Sequence, residues 1–159
     1  MRNAGKGMIA GSAALMALAM TVVIGLEGRE LRAYQDIVGV WTICYGETDG
    51  VEPGDTATPE QCDSMLMQSL VEYEAGLDRC LKVAVPGKTK IALLSWTYNV
   101  GIGAACGSTL IRLANLNRLV EACDQLLRWT YAGGHQVQGL LNRRKAERAL
   151  CREGLGLAA

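Results

Sequence analysis

The 159-residue chain predicts an α+β fold, mostly helical with one small β-hairpin lobe, preceded by an N-terminal transmembrane or signal-anchor helix. Three observations carry this expectation. From Thr58 onward, apolar residues recur at three- and four-residue steps, the period of an amphipathic helix. Ile37-Val38-Gly39-Val40-Trp41 sets β-branched and aromatic residues around one glycine, which reads as two short strands meeting at a turn. Gly7 to Leu26 is an uncharged run of 20 residues that ends at the first acid, Glu27. The domain division that follows is 1–26 for the membrane segment and 27–159 for one folded domain.

The N-terminal run is long enough to span a bilayer as a helix. Arg2 and Lys6 precede it, so the positive-inside rule puts the N-terminus in the cytoplasm and everything after Glu27 outside. Half of the run is Gly, Ala, Ser or Thr, so such a helix gains little from lipid and its insertion can be reversible. Three readings stay open: a cleaved signal peptide, a permanent anchor, and a transient anchor. Ala17-Leu18-Ala19 fits the small-x-small cleavage pattern, yet the apolar run continues through Leu26. Gly7 and Gly11 form a single Gly-x-x-x-Gly match.

Glu27 to Ala33 has helical composition except for Gly28, and Tyr34 to Gly46 reads as the hairpin. Thr48 to Thr58 is polar, with Asp49-Gly50 and Pro53-Gly54 as turn dipeptides. Thr58-Pro59-Glu60-Gln61 is a helix start: Thr58 caps, Pro59 suits the first position, and Gln61 completes a capping box. That helix runs to about Cys80, with Leu66, Leu70, Tyr73 and Leu77 on one face. After Pro86-Gly87 the pattern is helical throughout. A central apolar helix covers Lys88 to Val100 and ends at Gly101-Ile102-Gly103. Ser108 caps a short helix through Leu113, another runs from Asn117 or Arg118 to Ala132, Gly133-Gly134 is a stop, and a last helix covers about Gln138 to Arg152.

Formal net charge is zero, but the charges are segregated. Residues 1–26 carry +2, residues 27–80 carry −9, and residues 81–159 carry +7. The two larger segments either attract each other across the fold or meet partners of opposite charge. The basic residues form no single run, so no nucleic-acid partner is expected. The cysteines are Cys44, Cys62, Cys80, Cys106, Cys123 and Cys151, an even count behind an export-like N-terminus, which points to disulfides. No Cys-x-x-Cys occurs and His135 is the only histidine, so no metal site and no cofactor are expected.

The chemistry concentrates between Glu27 and Thr42. A glycosidic bond is cleaved by two carboxyl groups, one protonating the leaving oxygen and the other activating water or attacking carbon. Glu27 and Asp36 supply such a pair, and Thr42 across the hairpin can hydrogen-bond a water beside Asp36. Solvated acids at this spacing are common, so the pair needs further support.

That support is a resemblance. Glu27-x8-Asp36-x5-Thr42, followed by Ile43-Cys44-Tyr45-Gly46, resembles the catalytic signature of the T-even-type phage lysozymes, glycoside hydrolase family 24. Ser95-Trp-Thr-Tyr-Asn-Val-Gly-Ile-Gly103 resembles the family's central-helix motif, and Ser108-Thr-Leu-Ile-Arg112 the helix after it. Trp129-Thr-Tyr-Ala-Gly-Gly134 and Gly139-Leu-Leu-Asn-Arg-Arg-Lys-Ala-Glu-Arg148 resemble its C-terminal pattern, so the likeness covers nearly all of residues 27–153 in order. Within the family the chain is similar to the signal-arrest-release (SAR) endolysins of lambdoid phages. The resemblance implies a lysozyme-like fold and a muramidase that hydrolyses the β-1,4 bond of peptidoglycan. It implies Glu27 as general acid, Asp36 and Thr42 positioning the water with inversion, and Arg143 paired with Glu27. It further implies a monomer that contacts the host inner membrane through residues 7–26, is held there inactive facing the periplasm, and is then released.

Departures from the family pattern are Glu47, where His is common, and Cys44, where Gly is common. Related endolysins have cysteines at similar places, which implies Cys44–Cys62, Cys80–Cys106 and Cys123–Cys151. Residues 1–43 hold no cysteine, so activation by a disulfide exchange inside the membrane segment is excluded. The alternatives are a lytic transglycosylase, which needs no water-activating carboxylate, and an inactive wall-binding protein; the whole Glu-Asp-Thr set argues against both. Trp41, Trp96 and Trp129 can line a sugar cleft, with core packing expected for Trp96. His135 is expected in a loop, and Arg144, Lys145 and Arg148 on a solvated helix face.

Overall fold

A computed structural model describes residues 5–159, with side chains from residue 13 onward. Arg2 lies outside the described residues, and so does the side chain of Lys6. The first element, α1 (Gly5–Leu26), is one continuous helix over the apolar run. Met16, Ala19 and Val23 are buried along one face of it, while Leu18 and Ile24 are exposed. Among the described residues, no helix is long and apolar enough to cross a membrane. The expected N-terminal helix forms over this run.

The chain forms two compact units, one ending at Val71 and one beginning at Glu72. In the first, β1 (Glu30–Gln35) and β2 (Trp41–Cys44) pair antiparallel, with Tyr34 opposite Thr42 and Gln35 opposite Trp41, and with an irregularity between Glu30 and Tyr34. The helical reading of Glu27–Ala33 is corrected here, because β1 begins at Glu30. On its other edge β1 meets residues 55–57: Ala33 N donates to the Asp55 carbonyl and Ala57 N to the Leu31 carbonyl, both at 2.9 Å. Pairing on both edges outweighs the small helical preference of a stretch too short to nucleate by itself.

The capping box forms as read from the sequence. Thr58 N donates to Gln61 Oε1 at 2.7 Å and Gln61 N to Thr58 Oγ1 at 3.2 Å, opening α2 (Pro59–Cys80). Cys62, Leu66, Leu70 and Leu77 are its buried face. The boundary between the units falls inside α2. A disulfide joins Cys44 to Cys62. Cys44 sits at φ +60°, the left-handed region that favours glycine. This accounts physically for glycine being common at that position in the family, and in this chain the disulfide fastens a cysteine there instead.

The second unit is helical around α3 (Gly87–Val100), in which Ile91 to Thr97 is continuously buried. Gly101, at φ +91°, turns the chain into a short helix that the sequence did not predict, α4 (Ile102–Cys106). It packs on the end of α2 so closely that a Cβ built on Gly76 would lie 2.4 Å from Ile102 Cδ1. Ser108 caps α5 (Thr109–Asn115), its hydroxyl accepting from Ile111 N at 3.1 Å. The helix expected to run to Ala132 instead ends early. It comprises α6 (Leu119–Gln125) and a 3-10 turn, Leu126–Arg128, and is followed by a hairpin of β3 (Tyr131–Ala132) and β4 (His135–Gln136). Gly133 and Gly134, both at positive φ, reverse the chain there, and Val137 N donates to the Thr130 carbonyl at 2.8 Å. His135 thus lies in a strand rather than a loop. The last helix is α7 (Gln138–Gly154). Disulfides Cys80–Cys106 and Cys123–Cys151 fasten α2 to α4 and α6 to α7.

Trp96 is wholly buried and meets Trp129 edge-on, ring centroids 5.2 Å apart. Arg144 corrects the solvated-face reading, being only 1% exposed. Its guanidinium donates to the Trp129 carbonyl at 3.0 Å and also binds Glu147 and Asn99. Lys145 is exposed, and Arg148 is half-buried with Asp124 as partner at 2.7 Å.

Candidate active site

Glu27 sits at the C-terminal end of α1. Its N–H donates to the Val23 carbonyl at 2.8 Å, which continues the helical hydrogen-bond pattern one residue past Leu26. The position of Glu27 therefore follows the last turn of α1.

Asp36 opens the turn between β1 and β2. Its Oδ1 accepts from the backbone N–H groups of both Val38 and Val40, at 2.9 Å each. Its own N–H donates to the Val40 carbonyl at 3.0 Å. The carboxylate is thus held by backbone donors through one oxygen, which fixes its orientation. Thr42 lies two residues further, 4% exposed, with its hydroxyl donating to the Val40 carbonyl at 3.0 Å. Val40 therefore bridges the two side chains: its N–H holds Asp36 and its carbonyl holds Thr42.

Glu27, Glu30 and Asp36 act together on Tyr34. Burial raises the Tyr34 phenol above its ordinary value, and the three carboxylates raise it further, Glu30 first. Glu30, Glu27 and Asp36 are thus near enough to Tyr34 for their charges to act on it. Sequence reading missed Glu30 and Tyr34 as members of this neighbourhood. The available signal was the two-residue period of a strand, which puts Tyr34 and Asp36 on one face.

Glu47, the departure at a position often His, accepts a hydrogen bond from Ser69 Oγ at 2.8 Å. Beside it, Tyr45 is buried and donates its hydroxyl to Asp63 Oδ1 at 2.7 Å. Burial raises the Tyr45 phenol, and the bond to Asp63 raises it further.

Arg143 belongs to the second unit, on α7, 6% exposed. Its Nε donates to Glu147 Oε1 at 3.0 Å and its Nη2 to the Ser95 carbonyl at 3.1 Å. Glu147 is 0% exposed and also takes Arg144 and the Ser95 hydroxyl, the latter at 2.8 Å. Among the described residues, no group of three or more His, Cys, Asp or Glu is placed to hold a metal ion.

The family model described as phage lysozyme matches residues 25–147. The chain belongs to the phage lysozyme family. Among curated relatives, a SAR-endolysin of bacteriophage PS119 is 41% identical over 158 residues, covering 95% of this chain and 93% of the relative. A SAR-endolysin of enterobacteria phage P21 is 44% identical over 80% of this chain and 78% of the relative. Among solved structures, an endolysin from Escherichia coli O157:H7 phage FAHEc1 superposes with a TM-score of 0.76 at 31% identity, covering 89% of this chain and 93% of that one. As a member of the phage lysozyme family the chain is a glycoside hydrolase, an endolysin of the muramidase type whose substrate is peptidoglycan. Its fold is the lysozyme-like α+β fold, mostly helical with a small β-hairpin.

Proposed function

We propose that this endolysin hydrolyses the β-1,4 bond between N-acetylmuramic acid and N-acetylglucosamine with inversion, using Glu27 as general acid and Asp36 with Thr42 to position the attacking water. The observation that carries the reading is the Val40 bridge. Its N–H orients the Asp36 carboxylate and its carbonyl accepts the hydrogen bond of the Thr42 hydroxyl, so both oxygens are directed by the backbone of one residue. A carboxylate aligned in this way is suited to take a proton from water as the oxygen attacks the anomeric carbon, while the acid on the opposite face protonates the leaving oxygen. Arg143 takes the supporting role for Glu27 that the family resemblance gives it.

The same proposal covers location. Residues 1–26 act as a signal-arrest-release segment ahead of the catalytic domain at 27–159; the segment exports the chain, holds it inactive at the periplasmic face of the inner membrane, and then releases it. The names of the relatives support this, and so does the backbone bond from Glu27 to Val23, which makes the acid's position depend on where α1 sits. With α1 in lipid, Glu27 is held at the membrane surface; with α1 released, it is free to join the hairpin.

Two experiments test the reading. Peptidoglycan digested by the protein should yield reducing ends; anhydro ends would instead identify a transglycosylase, and Glu27→Gln should give no products. A chain beginning at Leu26 should be poorly active if packing of α1 positions the acid. Full activity of that chain would sink the regulatory half of the proposal.

A further inference from the structure

The hairpin around Asp36 and Thr42 is rich in acceptors and poor in free donors. An ionised Asp36 only accepts. The Thr42 hydroxyl spends its proton on the Val40 carbonyl, so its oxygen is left to accept. The Val38 and Val40 N–H groups are taken by Asp36 Oδ1, and Gln35 Nε2 donates to the Gly39 carbonyl at 3.1 Å. Two acceptors suit a water, which has two protons to give. They do not suit the ether and ring oxygens of a glycan, which can only accept. Tyr34 supplies the missing donor. It stands directly opposite Thr42 in the β1–β2 register, a pairing that sets Cβ atoms about 5 Å apart. Thr42 is 4% exposed and Tyr34 is 41% exposed, so the tyrosine is the member of the pair that a ligand can touch. Among the described residues, nothing accepts a hydrogen bond from its hydroxyl. Burial, and then the charges of Glu30, Glu27 and Asp36, hold the proton on the phenol, so it stays a donor.

We propose that Tyr34 is a substrate-binding residue whose hydroxyl donates a hydrogen bond to an acceptor oxygen of the sugar held over Asp36 and Thr42. The proposal rests on the water-positioning role given to that pair above. The register gives the contact its use: a sugar fixed on the phenol lies beside the water that Thr42 and Asp36 would hold. A neutral donor also suits this lobe. Residues 27–80 carry a net charge of −9, and a lysine or arginine at position 34 would pair with the neighbouring acids and lower their hold on a proton. A phenol donates without adding charge. The other use of a half-exposed tyrosine, covering Thr42, is served by the ring alone, so removing only the hydroxyl separates the two roles.

The test is Tyr34→Phe in the full chain, which keeps the ring. On solubilised peptidoglycan fragments KM should rise about fivefold with kcat kept, the size of one hydrogen bond to an uncharged partner. Thermal unfolding should be unchanged. Binding without turnover gives a second reading. The same fragments should bind Glu27→Gln carrying Tyr34→Phe about fivefold more weakly than Glu27→Gln alone. Unchanged KM and unchanged affinity overturn the contact. A fall in kcat with affinity kept also overturns it, in favour of an effect of the hydroxyl on the acids. A lower unfolding temperature with KM kept overturns it in favour of packing. Asp36→Asn is the control for the underlying reading. If that variant is inactive while Tyr34→Phe behaves as wild type, only the Tyr34 contact fails; if Asp36→Asn is fully active, the reading of Asp36 fails.

Discussion

Two carboxylates in this chain, Asp36 and Glu147, are held in opposite ways. Asp36, in the first unit, is fixed by two neutral backbone donors on one oxygen, in an exposed turn. Glu147, in the second, is sealed from solvent and bound by two guanidinium groups and a hydroxyl. The first arrangement orients a charge and leaves it accessible to a reactant. The second consumes the charge in joining α7 to α3. Burial and charged partners make Glu147 a structural acid, and the restraint of Asp36 by backbone amides suits the chemistry proposed for it.

Exchanging the charge on each side separates the two roles. Asp36→Asn keeps an oxygen to accept from Val38 and Val40, so the turn persists and only the charge goes. Hydrolysis of peptidoglycan should fall by about 10²–10⁴-fold in a turbidity assay, with thermal unfolding little moved. Glu147→Gln should do the reverse. It removes the carboxylate charge that both buried guanidinium groups share and should cost about 3–5 kcal/mol in denaturant unfolding, with a smaller loss of hydrolysis in the fraction still folded than Asp36→Asn causes. If Asp36→Asn destabilised the protein as much as Glu147→Gln, the contrast would collapse.

Smaller effects refine the picture. Cys44→Ser with Cys62→Ser opens a loop spanning 18 residues and should cost about 3 kcal/mol in the same unfolding experiment. Tyr45→Phe removes the bond to Asp63 and should cost about 1 kcal/mol. Its pH dependence has a definite sign. The Tyr45 phenol is raised in the fold, so its contribution is fully present below the unfolded tyrosine value near 10 and is lost as pH climbs through the folded one. Alkaline unfolding of the wild type should be steeper than that of Tyr45→Phe.

The parts legible in the sequence were those fixed by near neighbours. Thr58 and Gln61 announce a helix start because both halves of the cap lie within one turn. The Glu-Asp-Thr spacing was legible only through its likeness to a known pattern, since two acids alone say little. What escaped was set by distant partners. Glu30 to Ala33 became strand because residues 55–57 pair with it. The helix from Leu119 ended at Gln125 because Thr130 and two glycines favour a hairpin. Arg144 was read as solvated because a charged side chain ordinarily is. The clue was Glu147, three residues on, which could neutralise it inside the fold.

The three disulfides have a consequence for survival among proteases. They close covalent rings over residues 44–62, 80–106 and 123–151. The long polar loop before Thr58, the connection after Cys80, and the Gly133-Gly134 reversal each fall within one of these rings. A nick in any of them leaves a single covalent molecule whose cut ends stay tethered close to their native positions.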